Sequence, residues 1–153
     1  ALFVSARLSN NNELATRKRS LEGFMAEKVG FKELVADAEQ RIETISAETA
    51  LAESTSDDVV FVDLRDVREL KREGKIPHAF HCPRGLLEFW IDSESPYYNK
   101  IFGEDKRFVF YCNLGWRSAL AADIAQRMGL KSVCHIDGGF EAWKNAGGAV
   151  EEK

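Results

Sequence analysis

The sequence is poor in cysteine, proline and histidine, with three of each among 153 residues. Cys82, Cys112 and Cys134 cannot all pair, and they show neither Cys-x-x-Cys nor Cys/His ligand spacing. That excludes a disulfide scaffold and argues against a cysteine-built metal centre. The count suits a reducing compartment, so the expected location is cytoplasmic. His78 and His81 are too few, and too poorly partnered, to hold a metal. No apolar run approaches the ~20 residues of a spanning helix, so no membrane partner is expected. Basic charge is also short, and a net charge of −4 argues against nucleic acid as a partner.

What is present is enough apolar chain for a core, at 44% hydrophobic residues, and a length that fits one domain with a small appendage. Residues 1–24 carry an apolar start, a Ser/Asn/Thr-rich middle and Arg17-Lys18-Arg19. A secretory signal has the opposite order of charge and apolar core. With Met25 as a plausible natural start, residues 1–24 read as a flexible or added extension. Residues 25–45 read as an amphipathic helix, with Phe31, Leu34, Val35, Ala38, Ile42 and Ile45 at helical spacing. Such a helix packs on its own domain or joins two copies as a homodimer. Residues 46–153 form the main domain, opening on a short helix capped by Ser46.

Within it, apolar β-type runs alternate with helical stretches. Val59 to Val62 reads as a strand covered on both faces. Asp66 and Glu69 have capping-box spacing for a helix from Val67, and Gly74 ends it. Ala79 to Cys82 reads as a short second strand, in which Cys82 is a small core residue or, as the sharper alternative, a thiol that pairs with Cys112. An aromatic stretch follows, whose Trp90 is expected near a pocket entrance. Leu130 to Ile136 gives the last strand, with Cys134 packed in the sheet. Gly138-Gly139 then turns into a helix anchored by Trp143. Alternation of this kind implies a mainly parallel sheet with helices on both faces.

The densest chemistry lies at Phe108-Val-Phe-Tyr-Cys112-Asn-Leu-Gly-Trp-Arg117-Ser118. A buried strand must become a helix between Cys112 and Ser118. That puts Cys112 at the carboxyl end of a strand and under the amino end of a helix, where ligand sites of open α/β sheets lie. Helix-start N–H groups and a Gly115-curled loop offer donors to an anion, and Arg117 adds a fixed charge. Cysteines in such fields have pKa values of about 3.5–7.5 and act as nucleophiles. A lone strand-end cysteine can equally be packing. The candidate site is Cys112 with Asn113, Leu114, Gly115, Trp116, Arg117 and Ser118. Asp63 is expected as structural support, and Arg65 either pairs locally or reaches the pocket.

Cys112 to Ser118 resembles the active-site loop of the rhodanese-like sulfurtransferases. Val59-Val-Phe-Val-Asp63-Leu-Arg65 resembles that family's first core strand. Gly74-Lys-Ile-Pro77-His-Ala79 and Asp137-Gly138-Gly139-Phe-Glu-Ala-Trp143 match two further landmarks in order. The resemblance covers residues 45–151. It implies an α/β, rhodanese-like fold: a mainly parallel central sheet with helices on both faces, plus the N-terminal helical extension. It also implies an enzyme that moves sulfane sulfur from thiosulfate or a persulfide to a thiol, cyanide or protein acceptor. The sulfur would travel as a Cys112 persulfide, with no metal or organic cofactor. The alternatives are a regulatory binding module and, further off, a cysteine phosphatase or arsenate reductase. The loops of those two enzymes carry one more residue between Cys and Arg than the four found here.

Overall fold

A computed structural model of the chain describes residues 27–152. The expectations for residues 1–24 lie outside the described residues. The elements in order are α1 (Phe31–Glu39), β1 (Glu43–Ile45), α2 (Ala47–Glu53), β2 (Val59–Asp63), α3 (Val67–Glu73), β3 (Phe80–His81), α4 (Leu87–Ile91), β4 (Arg107–Tyr111), α5 (Trp116–Arg127), β5 (Val133–Ile136) and α6 (Gly139–Asn145). The five strands form one sheet in the order β1-β5-β4-β2-β3, and every pairing is parallel. Residues 34–153 make one compact unit.

Strand parity distributes the core. Val109 and Tyr111 of β4, Phe61 of β2 and Cys134 and Ile136 of β5 face α2 and α6, where they meet Ala47, Ala50, Phe140 and Trp143. Phe108 and Phe110, Val62 and Val133 face the other way, toward Leu87 of α4 and Ala121, Ala122 and Ala125 of α5. Alternate residues of a strand point to opposite faces, so one apolar run feeds both layers. The alanine row lets α5 lie close to the sheet. Local signals hold where they were read. Ser46 caps α2 through Thr49 N–H at 3.1 Å. Asp66 and Glu69 form a reciprocal capping box at α3, and Gly74 caps its end at φ +77°.

The N-terminal helix is corrected. It ends at Glu39, and Glu43–Ile45 is a strand paired with Cys134, His135 and Ile136. Ile45 leaves the expected helical stripe for the core, 7% exposed. Three residues cannot distinguish a 3.6 period from a 2.0 period. The free edge of β5 decides, because pairing satisfies backbone groups that a helix there would leave open. Arg107 fixes the new strand by gripping both oxygens of Glu43 at 2.8 and 3.0 Å and Glu53 at 2.9 Å. Arg41, between α1 and β1, grips Asp123 of α5. Trp90, half-buried, packs on Phe80, with ring centroids 5.8 Å apart, in the α5-side core.

Ile45→Ala is expected to cost about 2–5 kcal/mol in urea unfolding, as a core truncation does. Leu34→Ala, on the exposed side of α1, should stay within about 0.5 kcal/mol.

Candidate active site

Cys112 is the first residue after β4 and is 1% exposed. Three groups surround its sulfur. The N–H of Gly115 lies at 3.2 Å and that of Ser118 at 3.4 Å, both directed at Sγ, and Ser118 Oγ lies at 3.6 Å. Gly115 makes the curl possible: it sits at φ +97° as the residue before α5, a region that side chains resist. The two N–H donors belong to the opening of a twelve-residue helix, whose dipole adds to their field. A negative charge placed at this sulfur would be met by directed N–H donors and a positive helix end.

The outer side of the loop is pinned by α6. Phe140 and Glu141 N–H donate to the carbonyls of Cys112 and Asn113, at 2.8 and 3.2 Å. A Cβ on Gly139 (φ +58°) would stand 2.5 Å from Cys112 O and 2.6 Å from Asn113 O. The backbones approach this closely because position 139 has no side chain. Arg117 is held by both oxygens of Glu69, at 2.8 and 2.9 Å, so its fork is occupied by α3. The guanidinium holds the Glu69 carboxyl down to about 2, and Glu69 in turn raises Arg117. Leu114 and Trp116 stand exposed on the rim, at 46% and 47%. Asn113 is half-buried, with Oδ1 shielded from solvent and lacking a hydrogen-bond donor.

Asp63 and Arg65 lie beneath this edge, both fully buried. Asp63 accepts from Arg65 Nε and Nη2 at 3.0 and 2.8 Å, from Arg65 N–H at 3.0 Å and from Tyr111 O–H at 2.7 Å. Arg65 also donates to Gly74 O at 2.7 Å, and its Cζ lies 4.3 Å from the Phe140 ring centroid. Of the two expectations for Arg65, local pairing is the one seen: its guanidinium is engaged by Asp63, Gly74 O and the Phe140 ring and is sealed from solvent. Burial, then the charge of Asp63, pushes the Tyr111 phenol up. Cys82 and Cys134 are free and buried, and burial pushes each thiol up to about 12.

The sequence reading missed His135. Its Nδ1 lies 2.9 Å from Ser118 Oγ and its Nε2 3.1 Å from Thr44 Oγ1. The signal was strand parity: His135 shares the α5 face with Val133, the same face reached by Phe108, Phe110 and then Cys112. Burial pushes the imidazole down to about 4, and Asp137 opposes this.

Comparison with known proteins places the fold. The model of the Rhodanese-like domain matches residues 46–146. The chain belongs to the rhodanese-like domain family. A mouse thiosulfate sulfurtransferase/rhodanese-like domain-containing protein 3 is 31% identical over 93 residues, 58% of this chain and 59% of its own length. The chain spans about three fifths of the curated relatives it matches. Among solved structures, a Rhodopseudomonas palustris protein of unknown function, described as a "possible tyrosine phosphatase", is 56% identical, with a TM-score of 0.79 over 82% of this chain and 96% of its own. A thiosulfate sulfurtransferase from Pseudomonas aeruginosa shares the fold at 23% identity and a TM-score of 0.64, over 80% of this rhodanese-like chain and 22% of its own. Among the described residues, no helix is long and apolar enough to cross a membrane.

Asp63→Ala should destabilise by about 3–5 kcal/mol in urea unfolding, because it leaves the Arg65 charge buried and uncompensated. His135 is neutral when folded and protonates near 6.5 when unfolded, so the unfolded chain binds more protons as pH falls from 6.5 toward 4. Stability is then lost on acidification, by about 2 kcal/mol between pH 7 and pH 5 at ~1.36 kcal/mol per unit. Urea midpoints at the two pH values should show that loss in the native chain and not in His135→Asn.

Proposed function

We propose that this rhodanese-like chain is a sulfurtransferase that carries sulfur on Cys112. The observation behind this reading is the pair of N–H donors directed at Sγ, from Gly115 and Ser118, with the Ser118 hydroxyl beside them, at the bottom of a loop with four residues between Cys112 and Arg117. Donors fixed in place before the reaction stabilise an anion without reorganisation. The Cys112 thiolate attacks the outer sulfur of thiosulfate or of a persulfide. The Sγ–S bond forms, the donor's S–S bond breaks, and sulfite or thiolate leaves with that electron pair. A thiol, cyanide or protein nucleophile then takes the outer sulfur and restores the Cys112 thiolate, a two-step covalent cycle. Asn113, Leu114 and Trp116 line the approach. Arg117, tied to Glu69, holds the loop and lends its charge to the incoming anion. The cycle needs a reduced Cys112, which fits a cytoplasmic setting.

A second reading, a cysteine phosphatase, is favoured by the description of the Rhodopseudomonas palustris protein. Against it stands the short loop, which leaves room for one sulfur atom rather than a tetrahedral oxyanion. The occupied Arg117 fork points the same way.

Intact mass after brief thiosulfate exposure separates the two. Wild type should gain one sulfur atom and Cys112→Ser none, with aryl phosphate left unhydrolysed by both. Aryl phosphate turnover that needs Cys112, without sulfur gain from thiosulfate or glutathione persulfide, would establish the phosphatase instead.

A further inference from the structure

Cys112, Ser118 and His135 are each no more than 1% exposed, whereas Thr44 lies at the surface on the edge strand β1. The four groups form one hydrogen-bonded chain. Cys112 Sγ is 3.6 Å from Ser118 Oγ, Ser118 Oγ is 2.9 Å from His135 Nδ1, and His135 Nε2 is 3.1 Å from Thr44 Oγ1. The line runs from the reacting sulfur, behind the loop, to the far edge of the sheet. Resting on the sulfurtransferase reading above, we propose that Ser118, His135 and Thr44 form a proton path that takes the proton of the Cys112 thiol out through the sheet edge while the loop holds a sulfur donor.

One arrangement satisfies all four groups when Cys112 is a thiol. Sγ–H donates to Ser118 Oγ, Ser118 O–H to His135 Nδ1, and His135 Nε2–H to Thr44 Oγ1. In the transfer, the Sγ–H bond breaks and Ser118 Oγ takes that proton. The original Ser118 O–H bond breaks and His135 Nδ1 takes its proton. His135 Nε2 gives up its own proton through Thr44 Oγ1 to water. One proton has left the sulfur, one has entered water, and no electron has changed hands. Ser118 O–H now points at the thiolate, beside the Gly115 and Ser118 N–H groups. The imidazole is neutral before and after, in keeping with a buried ring that burial holds down to about 4.

Of the charged groups on the surrounding elements, Glu43 of β1 pairs with Arg107 of β4 and Asp123 of α5 with Arg41, while Arg117, paired with Glu69, also bears on Cys112 at the head of the path. Asp137, at the end of β5, is the carboxylate whose charge bears on the ring. The ring is thus a neutral relay rather than half of an ion pair. Ser118 touches the reacting sulfur. His135 and Thr44 act through it, as positioning residues.

The test follows Cys112 reactivity against pH, from 5 to 9, in the full chain. Rapid-quench persulfide formation from thiosulfate is measured for wild type, Ser118→Ala, His135→Asn and Thr44→Val. Iodoacetamide alkylation of Cys112 is followed in parallel. General acid–base assistance is worth on the order of 100-fold. Ser118→Ala and His135→Asn should lose about that much in persulfide formation near pH 6–7 and rejoin wild type at high pH, with the alkylation profile displaced in the same direction. Thr44→Val, a change at the surface that leaves the core untouched, should show a smaller displacement of the same form. A uniform loss at every pH, or unshifted profiles in all three variants, overturns the path. Alkylation needs no sulfur donor. A wild type that never gains sulfur, yet shows the displaced alkylation profiles in the variants, therefore rejects the sulfurtransferase reading while upholding the path.

Discussion

The carboxylate of Asp63, sealed from water at the end of β2, is the contact on which the rest of the site depends. It takes four donors: the side chain and backbone N–H of Arg65, and the hydroxyl of Tyr111. Tyr111 is the residue before Cys112, so the last residue of β4 is fastened directly to the end of β2. Arg65 extends the same contact to Gly74 at the end of α3 and to the Phe140 ring of α6. Three elements that approach Cys112 from different sides are thus referred to one charge. A buried ion pair of this kind is poor evidence for net stability, because desolvation offsets much of the attraction. What it supplies here is position.

Above that foundation the loop is held at three points of differing chemistry. The start of α6 donates to its carbonyls, Glu69 grips Arg117, and Gly115 supplies the backbone angle that turns strand into helix. Each acts on a part of the loop other than the sulfur. Sγ can therefore keep its own contacts, from the Gly115 and Ser118 N–H groups and with the Ser118 hydroxyl, free for a charge on the sulfur. Placement falls mostly to residues other than those at the sulfur, with Gly115 serving both: its backbone angle turns the loop and its N–H faces Sγ. Arg117 illustrates the division: it reads in sequence as an anion fork, yet most of its hydrogen bonding goes into the loop's attachment to α3.

What could be read in the sequence was local. The Ser46 cap, the Asp66/Glu69 box, the stop at Gly74 and the aromatic run of β4 depend on neighbours within four or five residues, and all stand as expected. What could not be read depended on distant partners. Glu43–Ile45 is a strand because β5 offers an unpaired edge some ninety residues later, while its own three residues fit a helical stripe equally well. Arg65 could have faced the pocket until the position of Phe140 was known. His135 was a solitary histidine in an apolar strand, and its meaning arises from Ser118 on another element.

The pairing of β1 with β5 has a consequence for the order in which the molecule can form. Thr44 and His135 are ninety-one positions apart, and Gly139, which lets α6 close on the loop, lies further along still. Parallel pairings over such separations form slowly, because a long loop must close before they return any energy. During synthesis, β2, β4 and Cys112 leave the ribosome before the strand that completes the sheet and the helix that seals the loop. Until then the thiol sits on an unfinished edge without its shielding. The newborn chain thus passes through an interval in which the Cys112 sulfur has emerged without the elements that shield it, and that interval ends only when β5 and α6 have docked.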